Sequence, residues 1–172
     1  MGRSNQRYAV KFRRRRANIT NYKKRLKLLQ SKLPRLVIRK SDRQIIVQIV
    51  EFAEKGDKTM ALASSSELKG LGWGFGLKST PAAYLTGLLA ARKAKEKKVA
   101  KAIADIGLYV PTKGAKVFAA LKGAVDGGLQ VPHNPDVLPS EERIAGRHMA
   151  EYLKKASITE NFEQVKKKIV AK

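Results

Sequence analysis

From Arg35 the chain reads in twos, and after Ser79 it reads in threes and fours. Over residues 35–40 Leu36 and Ile38 fall on one side and Val37 and Arg39 on the other. Residues 44–52 (QIIVQIVEF) are dense in β-branched side chains, with Ile45, Val47 and Ile49 on the side predicted to be buried. Residues 58–64 carry Thr59, Met60 and Leu62. This alternation predicts three strands. Ser41-Asp42 and Glu54-Lys55-Gly56-Asp57 supply turn chemistry between them, and connections that short favour an antiparallel meander.

Residues 64–80 (SSSELKGLGWGFGLKST) place glycine at every second position from Gly70 to Gly76 and read as a loop. Ser79 or Thr80 then caps a helix with Pro81 in its first turn, running to about residue 98. Its Tyr84, Leu88 and Ala91 row lies beside Leu85 and Leu89, which predicts a wide buried face. Gly87 within it is expected to admit a closely packed neighbour. Residues 103–110 (IADIGLYV) read as a fourth strand, and 115–125 as a helix ended by Gly127-Gly128. Residues 131–139, with three prolines, read as a rigid connector. Ser140 caps a helix over 141–153. Ser157 and Glu160 have capping-box spacing and open a last helix, with Phe162, Val165 and Ile169 on one side. The order predicts an α/β (α+β) fold, a mixed sheet with an antiparallel meander and helices packed on it.

Ahead of Pro34, Thr20 or Asn21 caps a short helix. Tyr22, Leu26 and Leu29, with Leu33, form an apolar row expected to dock on the core, leaving Lys23, Lys24, Arg25 and Lys27 outside. The chain therefore divides into a basic arm (1–33), a core (34–153) and a helical tail (154–172).

Charge changes the picture most at the front. The first 41 residues hold 15 of the 37 Lys and Arg and no acid, so +15 of the net +23 precedes Asp42. Crowded like charges repel one another and cannot stabilise a compact fold by themselves. A polyanion relieves that repulsion and releases counterions, so the arm is expected to order along nucleic acid. A membrane surface fits poorly, because Phe12 and Ala17-Asn18 give the arginine run too little apolar face. No window approaches the roughly 18 apolar residues of a spanning helix. Without cysteine there is no disulfide framework or thiolate site, and no apolar stretch behind the N-terminal charges resembles a secretory signal.

Arg13, Arg14, Arg15 and Arg16 stand between Tyr8, Phe12 and Tyr22. Guanidinium forks grip phosphates and aromatic planes stack on exposed bases, a mixture that favours structured or single-stranded RNA. Trp73 and Phe75 in the glycine loop either stack on a base or plug the core, and the two readings stand level. The loop matches neither G-x-G-x-x-G, since Phe75 stands where glycine is needed, nor the P-loop, since Leu77 precedes Lys78-Ser79. His133 and His148 lie too far apart for a zinc pair without further ligands. Asp42, Asp57, Asp105, Asp126 and Asp136 stand mostly at turns and element ends. No cofactor, metal or catalytic residue is expected. The alternatives are an Mg²⁺-dependent RNA-processing enzyme using dispersed carboxylates and a general nucleic-acid coating protein.

KFRRRR (11–16), YKKRL (22–26), PRLVIRKS (34–41), YLTGLLAARKA (84–94), DIGLYVPTKGAKVFAALKGAVDGGL (105–129) and VPHNPDVLPSEERIAGRHMAEYL (131–153) occur in that order. Together they resemble the large-subunit ribosomal protein eighteen family, called protein five in eukaryotes, in its archaeal form. The resemblance implies a translation-machinery-component-like domain bound to 5S rRNA in the central protuberance. Contacts to 23S rRNA and to the neighbouring large-subunit protein five are also implied, with no membrane and no small-molecule substrate. Carried onto this sequence, the RNA-binding positions are Lys11, Phe12, Arg13 to Arg16, Tyr22, Lys23 and Arg25, with Arg35 and Arg39 on the sheet. Tyr8 and Trp73 join them on residue chemistry alone. The implied setting is the cytoplasmic large ribosomal subunit.

Overall fold

The computed structural model describes residues 9–155 and 157–171. Strand β1 (Arg35–Lys40) pairs antiparallel with β2 (Ile45–Glu51), placing Leu36 opposite Ile49 and Ile38 opposite Val47. On its other side β2 pairs antiparallel with β3 (Lys58–Ser64), with an irregularity between Ile49 and Val50. The chain then crosses the sheet through a long helix, α3 (Thr80–Glu96), and returns as β4 (Ile103–Asp105), parallel to β1. The order β3-β2-β1-β4 makes the mixed sheet that the alternation and the helix signals predict.

One face of this sheet is apolar throughout. Leu36, Ile38, Ile45, Val47, Ile49 and Ala63 are fully buried there, beneath α3 and α4 (Lys116–Asp126). Each large aliphatic side chain removed from water contributes about 1.5–3 kcal/mol, so this layer is the main source of stability. Ser79 caps α3 by accepting from the Ala82 N–H, with Pro81 in the first turn. The α3–α4 crossing is unusually tight. A Cβ on Gly87 would lie 1.9 Å from the Ala120 carbonyl oxygen, and one on Gly123 2.0 Å from that of Tyr84. Only bare backbone permits that approach.

The terminal helix α7 (Ser157–Ala171) buries Ile158, Phe162, Val165 and Ile169, the last three in the same core as the sheet and α3. Its predicted apolar row is therefore correct, although Ser157 is its first helical residue rather than a residue ahead of it.

Several boundaries differ from expectation. Strand β4 stops at Asp105 instead of continuing to 110, because Gly107 adopts φ +64° and its N–H donates to Asp105 Oδ1 at 2.8 Å. The predicted helix over 141–153 is two helices, α5 (Glu141–Ala145) and α6 (Arg147–Leu153). They break at Gly146, where φ is +84° and a Cβ would meet Pro81 Cγ at 2.9 Å. Within the presumed loop, Ser65–Leu71 forms a 3-10 helix, opened by a capping box between Ser64 and Glu67. The S-x-x-E spacing was visible, but the surrounding glycines obscured it.

Candidate nucleic-acid interface

Four arginines in a row have no apolar periodicity, yet Arg13–Arg16 closes one helical turn, α1. The chain reverses at Asn18, whose φ of 51° lies in the left-handed region that asparagine tolerates. Arg14 Nε donates to Thr20 Oγ1 at 2.9 Å, bracing the reversal. Helix α2 (Tyr22–Leu29) follows, capped by Asn21 Oδ1, which accepts from the Lys24 N–H at 3.1 Å. The fold-back brings Phe12 and Tyr22 edge to face, with ring centroids 5.3 Å apart at 63°. Phe12 remains 70% exposed.

The side chains of Lys11, Arg13, Arg15, Arg16 and Lys23 are exposed and make no hydrogen bond or ion pair among the described residues. These exposed cations adjoin, along the chain, the exposed Phe12 and the half-buried Tyr22. Tyr8 lies outside the described residues.

Helix α2 docks only partly as predicted: Tyr22, Leu29 and Leu33 are half-buried, and Lys23 and Lys27 are exposed. It has no buried residue, and Leu26 is 62% exposed. Two of its cations, Lys24 and Arg25, turn inward instead of following Lys23 and Lys27 outward. Lys24 Nζ donates to the Gly107 carbonyl at 3.0 Å, and Arg25 reaches both oxygens of Asp57 at 2.9 and 3.0 Å. The reason lies in the second face of the sheet, which at β1 and β4 presents Arg35, Arg39 and Asp105 around Val37. Carboxylate and carbonyl acceptors hold Lys24 and Arg25 there.

Arg35 and Arg39, predicted to touch RNA, belong to this internal network. Arg35 donates to Asp105 Oδ2 at 2.9 Å and to Asp57 Oδ2 at 2.6 Å. With only 4% of its surface exposed it offers no open phosphate site, which corrects the prediction for this residue. Arg39 donates to the carbonyls of Ile38 and Asp105 and to Asp105 Oδ1, yet keeps 39% of its side chain exposed. Burial alone would push the Asp105 carboxyl up. The Arg39 charge, the Gly107 N–H and Arg35 outweigh it and hold the group below its usual range. Gly107 is doubly constrained, since a Cβ there would also lie 2.9 Å from the Arg39 guanidinium carbon.

Sequence reasoning missed Lys24, Asp57 and Asp105 as organisers of this surface. The two aspartates had been assigned turn and element-end roles, and nothing local marks them as partners of Arg35. Trp73 is also corrected. Its indole is 3% exposed, packed in the core and edge to face with Phe75 at 5.5 Å, so it plugs rather than stacks on a base. Among the described residues no group of three or more His, Asp or Glu could hold a metal ion. No helix there is long and apolar enough to cross a membrane.

Comparison with known proteins agrees with the resemblance carried by the motifs. Residues 6–101 and 93–134, two overlapping segments, match the family described as ribosomal large subunit proteins 60S L5 and 50S L18. The large ribosomal subunit protein uL18 of Korarchaeum cryptofilum is 53% identical over 149 residues, covering 87% of this chain and 76% of that protein. Its counterpart in Methanoregula boonei is 53% identical over 160 residues, covering 92% of each.

Proposed function

Since the chain belongs to the family of ribosomal large subunit proteins 60S L5 and 50S L18, in its archaeal form, we propose that it binds 5S rRNA and attaches it to the large subunit at the central protuberance. The general role is that of the family: a structural, non-enzymatic component of the cytoplasmic large ribosomal subunit that binds rRNA in translation. In our reading 23S rRNA and the neighbouring large-subunit protein five are its further partners.

One observation carries the choice of surface. Exposed cations without internal partners flank, in sequence, a contacting ring pair of which Phe12 is exposed and Tyr22 half-buried. Lys11, Arg13, Arg14, Arg15, Arg16 and Lys23 supply phosphate contacts, and Phe12 and Tyr22 offer ring faces to unstacked bases. Arg25 and Arg39, half-buried on Asp57 and Asp105, lend positive potential and orient the arm. Tyr8, which lies outside the described residues, joins the proposed contacts on residue chemistry alone. The arm acts as one unit and the α/β body as the support that aims it.

Chemical footprinting of 5S rRNA with the full chain tests this reading. Protection at discrete nucleotides, resisting competition by random duplex DNA, is the expected result. Equal competition by the DNA would make the protein a general coating protein, and RNA turnover in Mg²⁺ would contradict the structural role.

A further inference from the structure

On the helical side of the body a groove of about 470 Å³ reverses the charge of the molecule. Its walls come from α3 to α7, and none of them from the arm or the sheet. Asp126, Glu141, Glu142 and Glu163 face three cations there, in a chain that carries 37 Lys and Arg against 14 Asp and Glu. Those cations are already engaged. Lys122 Nζ lies 3.6 Å from Glu141, Arg147 bonds Glu142 at 3.1 Å, and Lys166 sits over aromatic rings. The Asp126 carboxylate accepts from the Tyr84 hydroxyl at 2.8 Å. Neither it nor Glu163 has an ion-pair partner among the described residues.

The floor supplies a second observation, independent of the carboxylates. The Tyr84 and Phe162 ring centroids are 5.7 Å apart, and Lys166 Nζ lies 5.7 and 6.0 Å from them. The fold itself thus holds a cation over this aromatic pair, so the floor accepts ammonium or guanidinium chemistry. The Tyr84 phenol reports the local field. Burial and the Asp126 hydrogen bond push it up, and the charges of Asp126, Glu163 and Glu141 push it further. Such a rim repels a phosphate backbone. A metal ion fits no better, because no group of three or more His, Asp or Glu among the described residues could hold one. Lysine or arginine side chains match both parts, their apolar stems on Ile144 and Ala145 and their charges at the rim.

We propose that this groove docks a basic peptide segment of a protein partner, with a guanidinium or ammonium group held by Glu142 and Glu163. The arm and the groove then divide the surface by charge: the arm takes a polyanion, and the helical side takes a cationic polypeptide. This inference goes beyond the rRNA-binding reading and does not depend on it.

The test follows the methyl resonances of Ile144 and Ala145 in the isotope-labelled full chain. Separate titrations use a short peptide of alternating arginine and glycine, its glutamate counterpart, magnesium chloride, and sodium chloride at matched ionic strength. A saturable shift with the arginine peptide alone is expected. The double variant Glu142→Gln, Glu163→Gln, in which both replaced side chains are exposed, should weaken that saturation about tenfold. An equal response to the glutamate peptide or to either salt, no saturable shift, or a shift undiminished in the variant overturns the proposal. So does a matching shift with the dinucleotide UpU, which would give the groove to nucleic acid. The two readings fail separately. Arm-dependent 5S rRNA binding without a peptide shift removes only the groove, whereas a peptide shift in a protein that ignores 5S rRNA keeps the groove and sinks the function.

Discussion

Arginine does opposite work in the arm and in the sheet. Arg13 to Arg16 are all exposed on one helical turn, and Arg13, Arg15 and Arg16 meet no internal acceptor among the described residues. Arg35, about twenty residues on, is buried between two carboxylates and anchors β1. The side chain is the same; only the distribution of acid around it differs. No acid pairs with Arg13 to Arg16 among the described residues, so their charge is left for an outside partner. At β1 the partners come from 22 and 70 residues away. A cation is therefore a binding residue only where the fold has not already paired it.

The comparison can be broken first at Arg35. Replacing it with alanine leaves Asp105 buried without its full complement of partners and should cost about 3–5 kcal/mol, read by urea unfolding. A loss under 1 kcal/mol would mean that the sheet does not depend on the pair. Next comes the body's apolar half. Gly123→Ala places a methyl 2.0 Å from the Tyr84 carbonyl oxygen, and because backbone cannot yield cheaply the penalty should reach about 3 kcal/mol.

Substituting all four of Arg13 to Arg16 with alanine should do the reverse. Stability should stay within about 0.5 kcal/mol of the parent. 5S rRNA affinity should fall about a hundredfold at low salt, and the log–log salt slope should flatten by about 3. A lowered melting temperature in this variant would erase the distinction between the two regions. Phe12→Ala is a smaller change on the same surface. Loss of one stacking face predicts about 1–3 kcal/mol weaker binding, with little of the salt slope altered.

The mildest test is pH. Asp105 has a depressed folded value, so its contribution is present above the ordinary carboxylate value of 3.8 and fades as pH falls through the folded one. Acid unfolding of Asp105→Asn should lack that part of the low-pH limb. The arm variant should retain it.

Much of the body was legible because its patterns are local. Period-two alternation gave β1 and β2, the Ser79-Pro81 signal gave α3, and Phe162, Val165 and Ile169 gave the buried side of α7. The arm's exposed arginines were legible for the complementary reason, having no acid within reach along the chain. The errors share one source. Leu26 faces solvent, Arg35 is buried and Trp73 fills the core because residues remote in sequence occupy or refuse the space around them.

What the chain determined unaided was therefore whatever nearest neighbours decide: periodicity, capping, turn placement and the separation of a basic arm from a mixed-charge body. Tertiary structure alone decided which cations stay available. Charge pairing acts through space, and Asp57 and Asp105 reach Arg25, Arg35 and Arg39 only after the meander and the α3 crossover have brought their strands together.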